Sequence, residues 1–190
     1  MVKLNKIYTR TGDSGSAGLV DGSRIAKSSP RMTAIGEVDE ANAAIGLAIA
    51  ALGNGAISTQ LLEIQNDLFD LGADIATPGT IEGALRIVGS QVERLEMAID
   101  DMNGFLAPLK SFILPGGSEG VSALHLARAI VRRAERAAVA LNEQEPLNPN
   151  LLAYLNRLSD QLFVAARYVA AREGGDILWK PGGTRELGSS

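Results

Sequence analysis

The chain has 190 residues and no cysteine, with one histidine and one tryptophan among them. Lacking cysteine, it has no disulfide framework, no thiolate nucleophile and no thiolate metal site. Aromatics make up only 4%, while alanine and leucine are abundant, which suits helices packed on helices. No apolar run approaches the length that spans a membrane, and no membrane partner is expected. The opening, MVKLNKIYTR, lacks the apolar core of a secretory leader, so the expectation is a cytoplasmic protein. Positive charge is not in excess. A formal net charge of −4 argues against non-specific nucleic-acid binding and leaves room for a local basic site. The only histidine, His125, has Ser122 three residues before it, so the Glu-x-x-His pairs of a di-metal bundle are missing. Alone, His125 reads as a satisfied, partly buried side chain. No Ser-His-Asp motif is present.

What is present is helical periodicity. Ile35, Val38, Asn42, Ile45, Ile49 and Leu52 predict a first helix over about 31–53. Asn42 on that seam reads as a register-fixing polar group. Gly36 and Gly46 suggest close packing or ligand approach. Leu61, Ile64, Leu68, Leu71 and Ile75 predict a second helix over about 57–76. A third runs to about 103, with Ser90 and Glu93 as its capping box. Residues 104–117 form a long connection, a length that is often functional. Ser118 caps a fourth helix, to about 143. Asn148 and Pro149 open a fifth, which Gly174-Gly175 closes. The expectation is one all-α domain over 1–190: an irregular arm at 1–30, a bundle at 31–175, and a partly flexible tail at 176–190.

The stretch FILPGGSEGVSALHLARAIVRRAER, Phe112 to Arg136, carries the most chemistry. Leu124, Ala127, Val131, Ala134, Ala138 and Leu141 form its core seam. Arg128, Arg132 and Glu135 share one face beside that seam, with Arg133 and Arg136 nearby. A solvated face with internal ion pairs is the alternative. Near the N-terminus, Thr9-Arg10-Thr11-Gly12-Asp13-Ser14-Gly15-Ser16 can aim backbone N–H groups at anionic oxygens. It is neither a Walker A sequence nor a Rossmann fingerprint. Paired with the arginine helix and Lys27, it suits a polyphosphate, because arginine grips phosphate bidentately and stays protonated.

Four stretches, YTRTGDSGSAGL, GEVDEANAAIG, FILPGGSEGVSALHLARAIVRRAER and NRLSDQLFVAARYV, stand in an order that resembles the PduO-type ATP:cob(I)alamin adenosyltransferases. The resemblance covers nearly the whole chain. It implies an all-α, five-helix up-and-down bundle assembling as a trimer, with an irregular N-terminal ATP-binding loop and active sites between subunits. It implies transfer of the 5′-deoxyadenosyl group of ATP to cob(I)alamin, giving adenosylcobalamin and triphosphate. Thr9, Arg10, Thr11, Gly12, Asp13 and Gly15 would wrap the triphosphate, and Lys27 would reach it. Arg132, Arg133, Glu135 and Arg136 match the run that binds ATP, and Asn156 matches an asparagine on the nucleotide. Asp39 and Arg128 match an ion pair across the subunit interface that supports cobalamin binding. Phe112 matches the aromatic on the cobalamin side. The catalytic set implied is Arg128, Arg132, Asp39 and Phe112. No protein metal site is implied, since Mg²⁺ is held mainly by the ATP phosphates. A flavin-dependent reductase is a candidate partner. Ala17 departs from relatives that carry a hydroxyl there, which puts one nucleotide hydrogen bond in doubt.

Taken singly, these residues have plainer readings. Phe112 fits a core position, Asp39 a helix start where acids favour the dipole, and Asn156 an exposed polar position. A non-catalytic nucleotide-binding bundle, and a trimeric bundle whose arginines only form interface pairs, both remain compatible with the sequence.

Overall fold

The computed structural model describes residues 7–185. Two short strands come first: β1 (Ser16–Gly18) and β2 (Arg24–Ala26). Five helices follow: α1 (Pro30–Leu52), α2 (Ala56–Ile75), α3 (Gly89–Asn103), α4 (Glu119–Asn142) and α5 (Pro149–Ala170). The expected five-helix, all-α bundle is thus the fold observed. Among the described residues no helix is long and apolar enough to cross a membrane.

Local sequence explains most helix starts. The Ser29 hydroxyl accepts from Met32 N–H, with Pro30 at the first position of α1. Ser118 does the same for α4 through Val121 N–H. Asn148 caps α5 by accepting from Asn150 N–H, with Pro149 next. The expected box of Ser90 and Glu93 does not form. Instead α3 begins at Gly89, and Val88 N–H donates to Gln91 Oε1 at 3.0 Å. The reason is tertiary: the other end of the same amide donates to Asp67 on α2 at 2.9 Å. One glutamine serves both demands, which the exposed Glu93 cannot.

The arm is less irregular than its composition suggests. Asp21 and Gly22 make a turn in which Gly22 has φ 83° and donates to Leu19 O. Asp21 accepts from the Ser23 hydroxyl and backbone N–H, and these bonds hold its carboxyl below the usual range. The strands pair antiparallel, with Ser16 opposite Ala26 and Gly18 opposite Arg24. Val20 N–H then ties the ribbon to Ala76 O at the end of α2.

The seams read from the sequence form the core. Leu61, Ile64, Leu68, Leu71 and Ile75 of α2 are buried, as are all six seam residues of α4. Asn42 donates to Gln65 O, and Gln65 donates back to Asn42 O, locking α1 against α2. A side chain on Gly46 would meet Gln65 Nε2 at 3.2 Å, so that glycine serves close packing, whereas Gly36 faces open space.

Chain direction explains the long connection. Leu52 packs on Gly120 and Arg31 pairs with Glu145, so α1 and α4 run antiparallel. Asn156 meets Glu135 and His125 meets Phe163, so α4 and α5 are also antiparallel. The contacts of Asn148 with Ile87, Arg157 with Glu96, and Arg167 with Ala107 make α3 and α5 parallel neighbours. The chain leaving α3 must therefore cross the end of α5 to begin α4. Residues 104–118 do so, with Phe105 edge-on to Tyr168 and Arg167 donating to Ala107 O at 2.9 Å. That crossing carries Phe112. The expected end of α5 at the glycine pair is about a turn late: regular helix stops at Ala170, and Gly175 N–H closes back on Ala170 O.

Candidate functional site

Helix α4 divides its arginines between two tasks. Arg133 forms ion pairs with Glu37 and Glu40 of α1. Its charge is spent within the chain, and those carboxylates hold its pKa above the usual arginine value. Arg132 is exposed, and among the described residues its guanidinium has no carboxylate partner. It lines an open cleft of about 470 Å³ with Glu135, Arg136 and Asn156. Asn156 Nδ2 donates to Glu135 Oε1 at 2.9 Å, so α5 fixes the acid on α4. Arg136 donates one N–H to Arg132 O at 3.0 Å and also lines the cleft. Four of the residues expected at the nucleotide are thus brought together, and Arg133 is turned to α1.

The arm supplies a compact loop. Asp13 N–H bonds to Arg10 O and Gly15 N–H to Gly12 O, giving two successive turns. Arg10 has φ 62°, a left-handed conformation that costs an L residue about 1–2 kcal/mol. Its guanidinium lies over the Tyr8 ring, 5.7 Å from the centroid. The Thr9 and Thr11 hydroxyls bond to each other at 2.8 Å. Lys27 Nζ comes so close to Gly12 that a built Cβ would stand 3.1 Å from it. Among the described residues, no hydrogen bond or ion pair joins this loop to Arg132 or Arg136. Loop and arginine cleft are separate features of the chain.

At the other end, Phe112 is 77% exposed. Core packing, the plain sequence reading, does not apply. The phenyl ring meets Trp179 edge-on, with centroids 6.0 Å apart. Trp179 N–H donates to Phe112 O, Leu114 N–H to Ile177 O, and the Ser111 hydroxyl to Trp179 O. An antiparallel bridge between Ile113 and Leu178 completes the strip. Arg167, buried, anchors it through Asp176. The tail segment 176–179 therefore holds Phe112 outward. Sequence reasoning left Trp179 without a role, and the apolar run Ile177-Leu178-Trp179 in a tail expected to be partly flexible was the available signal. As the only tryptophan, Trp179 also reports on this strip. Its emission is expected to move to longer wavelength in Phe112→Ala, as water replaces the phenyl edge, and an unchanged spectrum would count against the pairing.

Among the described residues no ion pair or hydrogen bond joins Asp39 to Arg128. Asp39 is exposed on α1. Arg128 is half-buried, its Nε has no hydrogen-bond partner, and burial with Arg132 nearby pushes its pKa down. One turn away, His125 is buried with Nδ1 unpartnered, and burial and Arg128 lower its pKa as well. The expectation of a satisfied histidine is not met at Nδ1.

The chain is similar to known proteins in sequence and fold. A family model described as cobalamin adenosyltransferase matches residues 7–169. The corrinoid adenosyltransferase of Mycobacterium tuberculosis H37Rv is 51% identical over 97% of this chain and 97% of its own. The Bacillus subtilis corrinoid adenosyltransferase is 48% identical over 90% of this chain and 91% of its own. A structure of a PduO-type ATP:corrinoid adenosyltransferase variant from Lactobacillus reuteri, complexed with cobalamin and ATP, has a TM-score of 0.85. It is 41% identical, over 92% of this chain and 99% of that one. The family match runs from the arm into the last turn of α5, and the chain belongs to the cobalamin adenosyltransferase family.

Proposed function

We propose that this chain transfers the 5′-deoxyadenosyl group of ATP to cob(I)alamin, releasing triphosphate. The carrying observation is the cleft of Arg132, Arg136 and Asn156, whose arginines form no ion pair among the described residues while Arg133 beside them is neutralised. Cobalt(I) supplies the electron pair that forms the Co–C5′ bond, and the C5′–O bond breaks with its pair leaving on triphosphate. The nucleophile arrives with the substrate, so the protein needs no general base. Its work is to align cobalt with C5′ and to stabilise charge on the leaving group. Arg132 and Arg136 serve the second task, together with Lys27 and the backbone N–H groups of the arm loop. Asn156 and Glu135 orient the nucleotide.

The same reading makes the enzyme a homotrimer in the cytoplasm, with a flavin-dependent reductase supplying the reduced corrinoid. Three observations support a site shared between subunits. Among the described residues no hydrogen bond or ion pair joins the loop to the arginine cleft, Asp39 stands exposed, and Arg128 Nε lacks a partner. Among the described residues no three His, Asp or Glu side chains converge as a metal cage. A Mg²⁺ ion accompanying ATP would take phosphate oxygens and water as ligands.

Mixing the protein with ATP, Mg²⁺ and chemically reduced cobalamin tests the reading. The expected product has the absorbance of a cobalt–carbon bond, and ATP binding without that product would defeat it. Phe112, apolar and held outward by Trp179, would exclude an axial ligand from cob(II)alamin and ease its reduction. Phe112→Ala is therefore expected to slow the cob(II)alamin-coupled reaction by about tenfold or more, ~1.4 kcal/mol, and to spare the reaction of pre-reduced cob(I)alamin. Equal loss in both assays would remove that role.

A further inference from the structure

We propose that Arg24 is a positioning residue for the triphosphate: its guanidinium shapes the loop from Thr11 to Ser16 and leaves the phosphates to Lys27. The proposal rests on the reading of that loop as the ATP site.

The geometry starts with strand register. Arg24 stands opposite Gly18, and Ser16 lies two residues away on the same face of the ribbon. Gly18 presents no side chain, so the arginine can lie along that face. A Cβ built on Gly18 would be 3.9 Å from Arg24 Nη1. From there Arg24 Nε donates to Ser16 Oγ at 3.2 Å. Nη2 donates to Ser16 Oγ at 2.8 Å, to Ser16 O at 3.0 Å and to Thr11 O at 2.7 Å. One guanidinium thus grips both ends of the loop.

Two consequences follow from this grip. A trans peptide holds its C=O and N–H on opposite sides. With Thr11 O drawn to Arg24, the Gly12 N–H points away from the arginine, the orientation an incoming anion requires. The Nε and Nη2 donors of Arg24 are also committed to the loop itself, so this cation is poorly placed to hold phosphate. Lys27 is the opposite case. Its backbone N–H bonds to Gly15 O at 2.8 Å, and its ammonium stands beside Gly12 with no carboxylate partner among the described residues. Lysine could not replace Arg24, because the grip needs a planar fork with several fixed donors.

The test is calorimetric titration of ATP into the full chain, alongside steady-state kinetics and amide hydrogen exchange without ATP. Arg24→Met is expected to weaken ATP binding and raise KM for ATP by about tenfold or more, with KM for the corrinoid within about twofold. Exchange at Gly12 to Gly15 is expected to accelerate while the melting temperature holds, because the arm lies outside the core. Arg24→Lys is expected to recover little. Ser16→Ala is expected to weaken ATP binding by about threefold, and adding it to Arg24→Met to cost nothing more, since both act through one contact. ATP affinity within about twofold of the parent in Arg24→Met would overturn the proposal. Additive losses would also overturn it, by making Arg24 a phosphate ligand in its own right. If the parent chain binds no ATP, the adenosyltransferase reading falls first, and the proposal with it.

Discussion

Arg132→Ala is expected to lower kcat/KM for adenosyl transfer by about two to three orders of magnitude. The guanidinium is exposed in a cleft with Arg136 and Asn156 and is not consumed by any carboxylate among the described residues. Charge grows on the triphosphate as the C5′–O bond breaks, so a cation fixed there acts more strongly on the transition state than on bound ATP. The loss should fall mainly on kcat. Arg132→Lys keeps the charge but not the planar fork and should lie between the two. Arg133→Ala is the control. Its ion pairs with Glu37 and Glu40 are part of the α1–α4 contact, so it should cost stability more than rate. Single-turnover assays with pre-reduced corrinoid distinguish these outcomes, and near-parental turnover in Arg132→Ala would remove that residue from the chemistry.

Asp67→Ala is expected to destabilise the fold by about 3 kcal/mol. Asp67 on α2 is buried and accepts from Tyr154 on α5 at 2.7 Å and from Gln91 on α3 at 2.9 Å. It also pairs with Arg94. One carboxylate thus joins three helices at the point where α2 has few other contacts with α5. Its removal leaves the Tyr154 hydroxyl, which is fully buried, without its acceptor. Arg94 is partly exposed and can turn to water, which limits the loss. In a chain of this size the melting temperature should fall by roughly 10 °C. Tyr154→Phe deletes one donor and leaves Asp67 with its other partners, so about 1 kcal/mol is expected. Thermal denaturation followed by circular dichroism measures both, and equal melting temperatures for parent and Asp67→Ala would refute the network's role.

The five helices were legible because each buries one stripe at three-four spacing. Leu61 to Ile75 and Leu124 to Leu141 were placed in the core by that spacing alone, and the core is where they lie. The caps at Ser118 and Asn148 were legible for a similar reason: a cap is a contact between residues two or three apart. The cap of α3 was not, because Gln91 answers to Asp67, which is distant in sequence. In the arm, an Asp-Gly turn between short apolar segments was the missed signal for a ribbon, and with it the place of Arg24.

The chain itself therefore determined its helical class, its core stripes and the residue types able to hold a polyphosphate. These depend on local periodicity and on the chemistry of side chains, both written in the order of residues. Only the tertiary structure decided which of two adjacent arginines is free. Arg132 and Arg133 both match the run expected to bind ATP, but successive helix positions point about 100° apart, and Glu37 and Glu40 of α1 pair with Arg133. It also decided that Phe112 is held at the surface by a tail over sixty residues away, because the crossing from α3 to α4 brings those two backbones within hydrogen-bonding reach.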